Sequence, residues 1–160
     1  MNKRAFLLGE ETVKIIVAVI CVVFLVAILA SIYFSATGSQ KSKEAQSIVN
    51  GENGLAKEIT RINSDGTPNE QGFLIPNPSG WYLYSFTGDK KPNLCAGANC
   101  ICVCGNVLVD LFNAQTKECD KKGVCVIVEN LNTFEKIKIE KSGIYLLIKK
   151  TNGILEVTKK

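Results

Sequence analysis

Cysteine is the residue type in this chain whose number and spacing point most directly to chemistry. Six of the seven cysteines fall in one stretch of the sequence: Cys95, Cys100, Cys102, Cys104, Cys119 and Cys125. An even number of cysteines in a small domain is typical of a disulfide framework formed in an oxidising compartment. The stretch therefore predicts a disulfide-stapled domain outside the cytoplasm.

The spacing of these cysteines limits how they can pair. Cys102 and Cys104 are two residues apart in a predicted strand, so their side chains share a face with Cα atoms about 7 Å apart, the limit for a disulfide. We expect each of them to bond across the fold, to Cys119 or Cys125. The first two cysteines of the stretch could close the small loop CAGANC between them. Many connectivities remain open, since six cysteines can be paired in numerous ways.

Two other kinds of chemistry are open to the same residues. The Cys-x-Cys-x-Cys pattern at 100–104 could bind zinc or an iron–sulfur cluster, but structural zinc sites usually space paired ligands by about two to four residues. Catalytic thiol exchange by Cys102 or Cys104 would need a depressed pKa, and no Cys-x-x-Cys motif is present at a helix start. A structural framework is the favoured interpretation, so we predict no metal and no cofactor.

The rest of the composition argues against an enzyme and against a nucleic-acid partner. Histidine is absent, which removes the commonest general base and metal ligand. The net charge of +4 is spread along the chain without dense basic clusters. An aromatic run, Trp81, Tyr82, Tyr84 and Phe86, could form a binding platform, although alternating aromatic residues in a strand more often pack in a core. We predict no catalytic residues.

An apolar segment at 15–34 predicts a transmembrane helix. It contains twenty residues without a charge, and a helix of that length covers about 30 Å, the hydrocarbon thickness of a bilayer. A cleaved secretory signal and a buried soluble helix are the alternatives. A signal usually has a shorter apolar region, and a domain this small could hardly enclose a helix that is apolar on every side. The lipid bilayer is therefore an expected partner.

The two ends of this segment set the expected topology. Lys3, Arg4 and Lys14 precede it and favour a cytoplasmic N-terminus, although two glutamates and two following lysines weaken the bias. The cysteine framework then indicates the orientation, with the large domain outside the cytoplasm and the N-terminus inside. Cys21 lies inside the segment and is interpreted as a small apolar residue, with lipidation as the alternative. The expected divisions are a cytoplasmic leader at 1–14, the membrane helix at 15–34, a partly helical stalk at 35–72 and an extracytoplasmic domain at 73–160.

The extracytoplasmic domain is expected to consist mainly of antiparallel strands. A turn-rich loop is predicted at 63–72. Short runs of β-branched and aromatic residues follow it and predict strands at 81–86, 101–112, 124–128, 136–139, 144–150 and 154–158. Asn152-Gly153 predicts a hairpin between the last two strands, while Gly105-Asn106 could be either a hairpin turn or a bulge. The expected fold class is α+β, a long N-terminal helix followed by a small, antiparallel, β-rich domain.

The N-terminal segment also resembles a known family. KRAFLLGEETVKIIVAVICVVFLVAIL contains a short basic leader, a Gly9-Glu10 junction and an apolar helix, and in this it resembles the archaeal and bacterial type IV pilin-like proteins. The whole chain also resembles small single-pass membrane proteins of minimal-genome archaea. The pilin resemblance implies cleavage after Gly9 by a membrane peptidase and packing of the helix in a filament. It also implies that Glu10 or Glu11 neutralises a neighbour's new amino terminus.

Three hypotheses about function follow from these observations. The first is a cell-surface structural subunit, pilin-like, whose partners are copies of itself or other pilin-like subunits. The second is a membrane-anchored extracellular binding module without catalytic activity. The third, an envelope thiol oxidoreductase, would require a reactive thiol of low pKa. Processing at Gly9 distinguishes the first from the second.

Overall fold

The computed structural model describes the backbone of residues 3–64, 70–107 and 113–160, and the side chains of these residues from Thr12 onward. Two compact units are present, Met1–Gly38 and Ser39–Lys160. The first unit is helical throughout its described part. The second contains the remaining helices and the strands, so the α+β class expected from the sequence is present.

A single helix, α1, extends from Lys3 to Asn50. The sequence GENG follows directly and forms a turn, in which the Gly51 amide donates to the Ser47 carbonyl at 2.9 Å. A second helix, α2, covers Leu55–Ser64 and buries Leu55, Ile59 and Ile62. The partly helical stalk is thus a continuous helix to Asn50 followed by a separate short helix, because glycines at both ends of the turn interrupt the helical path.

Within the described residues, seven strands form two antiparallel sheets. They are β1 (Glu70–Ile75), β2 (Tyr82–Phe86), β3 (Cys100–Cys104), β4 (Val124–Ile127), β5 (Ile137–Lys138), β6 (Ile144–Thr151) and β7 (Ile154–Lys159). One sheet has the order β1-β6-β7 and the other β4-β3-β2-β5. A 3-10 turn at Asn93–Cys95 and a helix, α3, at Ala114–Lys122 complete the described elements.

The C-terminal hairpin is confirmed. β6 and β7 pair in antiparallel register, with Thr151 opposite Ile154. The two connecting residues, Asn152 and Gly153, have φ of 52° and 80°. Asparagine and glycine tolerate this left-handed region, and two such residues in succession produce the turn that suits the twist of a hairpin.

Three sequence-based expectations need correction. β1 begins at Glu70, inside the predicted loop 63–72, because its ladder with β6 supplies partners that the turn-rich local sequence does not reveal. β3 ends at Cys104, so the segment predicted at 101–112 is not one continuous strand with a bulge at Gly105-Asn106. The second strand of the alternative hairpin falls on residues 108–112, which lie outside the described part. The interval between the strands predicted at 101–112 and 124–128 was assigned no helix, but Ala114–Lys122 is helical.

The hydrophobic core is shared by both sheets, by α2 and by the C-terminal part of α1. α1 contributes Ala45 and Val49 to it. The other fully or nearly buried members are Leu55, Ile59, Ile62, Ile75, Trp81, Leu83, Ile101, Val103, Val128, Leu131, Ile139, Ile144, Leu146, Ile148, Leu155 and Val157. One face of each sheet therefore covers the same core, which leaves the opposite face of β3 for the cysteines.

Candidate functional site

β3 presents different chemistry on its two faces. Its sequence is CICVC, and side chains alternate across a strand. Ile101 and Val103 enter the hydrophobic core, whereas Cys100, Cys102 and Cys104 belong to a separate buried cluster. All five side chains are fully buried. Because its side chains alternate, β3 contributes residues to both the hydrophobic core and the cysteine cluster.

The six clustered cysteines form three disulfides. Cys102 is bonded to Cys125, which lies directly opposite it in the β3–β4 ladder. Cys104 is bonded to Cys119 on α3, and the remaining bond joins Cys95 of the 3-10 turn to Cys100. Cys102 and Cys104 thus have different partners, which agrees with the pairing favoured from their spacing.

Gly123 allows α3 and β4 to converge on the same face of the sheet. Its amide donates to the Cys119 carbonyl at 2.8 Å and ends α3. A side chain at this position would meet the backbone of Cys119 and the Cβ of Cys104 at less than 3.0 Å. A residue without a side chain is therefore required for the chain to pass from the helix to β4 beside the Cys104–Cys119 bond.

Three aromatic residues of β2 pair with the cysteines of β3, and two of them, Tyr84 and Phe86, pack against the cysteine cluster. On β2, Tyr82, Tyr84 and Phe86 lie opposite Cys104, Cys102 and Cys100, respectively. Successive ring centroids are 6.1 and 6.0 Å apart. Trp81, the fourth residue of the run, and Leu83 between the tyrosines point into the hydrophobic core, where both are buried. The aromatic run therefore packs on both faces of the sheet, with Tyr84 and Phe86 half-buried against the cysteine cluster.

A buried glutamine connects α3 to the segment that follows β3. The Gln115 side-chain amide donates to the Gly105 carbonyl at 2.7 Å, and its oxygen accepts from the Val107 amide at 3.0 Å. The Tyr84 hydroxyl lies 3.1 Å from the same oxygen. Sequence reasoning missed Gln115, because a polar residue in a polar helix gives no signal of burial. Its role is to satisfy backbone groups that would otherwise be buried without partners.

In the disulfide-bonded state, the cysteine cluster has a structural role. Disulfide sulfur is uncharged, and thiolates are the nucleophiles and metal ligands. Four of the sulfur atoms, those of Cys95, Cys100, Cys102 and Cys125, nevertheless lie within 4.8 Å of one another. As disulfides they tie the 3-10 turn, β3 and β4 together. The seventh cysteine, Cys21, is free and exposed in α1.

The N-terminal part of α1 is the second candidate site. Its most apolar 18-residue window has a mean hydropathy of 3.4, and none of that window is buried. By length and composition, it is long and apolar enough to cross a membrane. Gly9 and Glu10 lie in the helical backbone of α1, and the Glu10 side chain is outside the described part.

The chain was also compared with known proteins. No family model, curated protein or solved structure matches it.

Proposed function

We propose that this protein is a cell-surface structural protein, anchored in the membrane by α1 and assembled as a pilin-like subunit. The observation that carries the proposal is the difference between the two parts of α1. Phe24 and Leu29 in the apolar part are each 66% exposed, whereas Ala45 and Val49 further along the helix are fully buried. A continuous run of exposed apolar side chains is stable in lipid or against other apolar helices, and costly in water.

The disulfides support an outer location for the folded domain. Three bonds within one small domain form and persist in oxidising compartments and are rare in the cytosol. The basic residues Lys3, Arg4 and Lys14 stand before the apolar segment and favour a cytoplasmic N-terminus. In this arrangement 1–14 is cytoplasmic, 15–34 crosses the bilayer and the disulfide-bonded domain is extracytoplasmic.

The continuity of α1 supports the pilin-like part of the proposal. The helix begins at Lys3, passes the Gly9-Glu10 junction and continues to Asn50. Cleavage after Gly9 would leave a chain that begins at Glu10, followed directly by the apolar helix. The new amino group would be costly in an apolar filament centre unless an opposite charge paired with it. Glu10 or Glu11 of a neighbouring copy supplies that charge.

Processing at Gly9 tests this proposal. We expect N-terminal sequencing of the protein from its own membrane to begin at Glu10. Gly9→Val should block cleavage, whereas Ala5→Val, a matched substitution within the leader, should leave it intact. Retention of residues 1–9 in the native protein would contradict the proposal.

Assembly can be tested separately from processing. Glu11→Gln should be cleaved normally but should yield fewer oligomers in mild detergent, because the buried amino group loses a partner. Glu52→Gln, the same change at an exposed position after α1, is the control and should assemble normally. A native chain that keeps its leader and is monomeric in mild detergent would favour the second hypothesis, a membrane-anchored binding module.

A further inference from the structure

Two of the three disulfides lie in contact with each other. The sulfur of Cys102 is 3.7 Å from that of Cys95 and also 3.7 Å from that of Cys100. With Cys125, the bonded partner of Cys102, the four sulfur atoms form a group in which every pair is within 4.8 Å. Cys125 is half-buried and the other three are fully buried. The third disulfide, Cys104–Cys119, is not part of this group.

These distances are close to those of a tetrahedral metal–thiolate centre. Zinc–sulfur bonds are about 2.3 Å long in a tetrahedral site, which places neighbouring sulfur atoms about 3.8 Å apart. The two contacts of Cys102 already have that length. Reduction would free each bonded pair to separate to the same distance. The backbone of three elements, the 3-10 turn, β3 and β4, would hold the four ligands in place.

The same geometry does not suit thiol–disulfide exchange between the two bonds. Exchange requires a thiolate to attack one sulfur of a disulfide in line with the bond that breaks, forming a mixed disulfide. Cys102 is equally distant from both sulfur atoms of Cys95–Cys100 and so faces that bond from the side. Four sulfur atoms arranged around a common centre fit a shared ligand better than a displacement reaction.

We propose that the reduced chain binds one thiophilic divalent cation of the zinc class through Cys95, Cys100, Cys102 and Cys125. A dithiol reductant donates two electrons to each disulfide, giving two thiols and an oxidised, cyclic reductant. The cation then displaces four thiol protons and forms four metal–sulfur bonds, with a net charge of −2. The Lys91 ammonium donates to the Gly97 carbonyl, at 3.0 Å, in the loop between Cys95 and Cys100.

Whether these four cysteines are disulfide-bonded or metal-bound would then depend on the redox conditions of the compartment. An oxidising environment gives two disulfides, and a reducing environment with available metal gives a metal-bound cluster at the same position. This inference depends only on the sulfur positions and holds whether or not α1 is processed at Gly9.

Cobalt titration of the full chain tests the proposal. The protein is reduced with a phosphine in detergent micelles, and Co²⁺ is added as a spectroscopic probe for a zinc site. We expect one Co²⁺ per chain, with sulfur-to-cobalt charge-transfer bands and the intense visible bands of a tetrahedral site. Cys125, the half-buried ligand, should be alkylated in the reduced, metal-free chain and protected once the metal is bound.

Two matched variants make the test specific. Cys102→Ser with Cys125→Ser should weaken Co²⁺ binding by at least about tenfold, whereas Cys104→Ser with Cys119→Ser should preserve both the affinity and the spectrum. No cobalt–thiolate bands in the reduced wild type would overturn the proposal. Equal losses of Co²⁺ affinity in the two variants would also overturn it, because that result is expected when any cysteine of an unfolded, reduced chain can bind the metal.

Discussion

The nested arrangement of two disulfides leads to a quantitative prediction about stability. The loop closed by Cys102–Cys125 contains the loop closed by Cys104–Cys119, and the bonded residues are 23 and 15 positions apart, respectively. In the chain-entropy description, closing loops of these lengths in the unfolded chain stabilises the fold by about 3.4 and about 3 kcal/mol. The two contributions are not independent, because the inner bond shortens the path between the outer cysteines.

The coupling can be estimated from the chain path. With the inner bond in place, the unfolded chain connects Cys102 to Cys125 through only about nine residues, so the outer bond then contributes about 2.6 kcal/mol. Removing the inner pair alone should cost about 2.2 kcal/mol and removing both should cost about 5.6 kcal/mol. The combined loss therefore exceeds the sum of the separate losses by about 0.8 kcal/mol.

Urea unfolding of alanine variants measures this coupling. Trp81, the only tryptophan, is 6% exposed in the core and reports unfolding by fluorescence in mild detergent. The Cys95–Cys100 bond is the control, because its loop lies outside the other two. Its removal should cost about 2 kcal/mol and should add to the Cys104–Cys119 loss within about 0.5 kcal/mol.

A specific result would refute the nested pairing. If the Cys102–Cys125 and Cys104–Cys119 losses are additive to the same degree as the control, the proposed loop arrangement is wrong. The variant that lacks both bonds loses an amount comparable to the whole stability of many small domains. Its unfolding is therefore measured in sulfate, which strengthens the folded state of every variant in the series.

Three further predictions concern single side chains. Gln115→Leu should lower the free energy of unfolding by about 2–3 kcal/mol, because it leaves the hydrogen-bonding groups of the 105–107 segment unpaired. The control, Gln46→Leu on the exposed side of α1, should change stability by less than about 0.5 kcal/mol in the same urea assay. Gly72→Ala should cost about 1 kcal/mol, since a Cβ there would contact the Tyr145 hydroxyl, and the loss should disappear in a Tyr145→Ala background. Val23→Arg should disfavour membrane insertion by about 2.5–3.5 kcal/mol and increase the fraction extracted by alkaline carbonate.

The features that the sequence predicted well are those with a strong local signal. The apolar run at 15–34 predicts a helix by itself, because no residue in it interrupts the pattern. Asn152-Gly153 predicts the C-terminal hairpin for an equally local reason, since few other pairs accept two positive φ angles in succession. The spacing of Cys102 and Cys104 indicated that they do not pair with each other, because their Cα separation in a strand is at the limit for a disulfide.

The features that the sequence did not predict depend on distant partners. α3 buries only Gln115 and Cys119 among its nine residues, so it has no apolar stripe, and a disulfide and a polar network hold it instead. β1 begins with Glu70, Gln71 and Gly72, which show no strand pattern, and it is a strand because β6 pairs with it along its whole length. The contact between the two disulfides also requires the fold, since it brings a turn and two strands to one point.

The location of the folded domain is the central claim, and labelling of intact cells tests it directly. A membrane-impermeant amine reagent should modify exposed lysines of the domain, such as Lys90, Lys121 and Lys141. Lys14, on the other side of the apolar segment, should be labelled only after lysis, which gives a control within the same chain. Our account predicts labelled domain lysines and an unlabelled Lys14 in intact cells. Domain lysines that react only after lysis would contradict it.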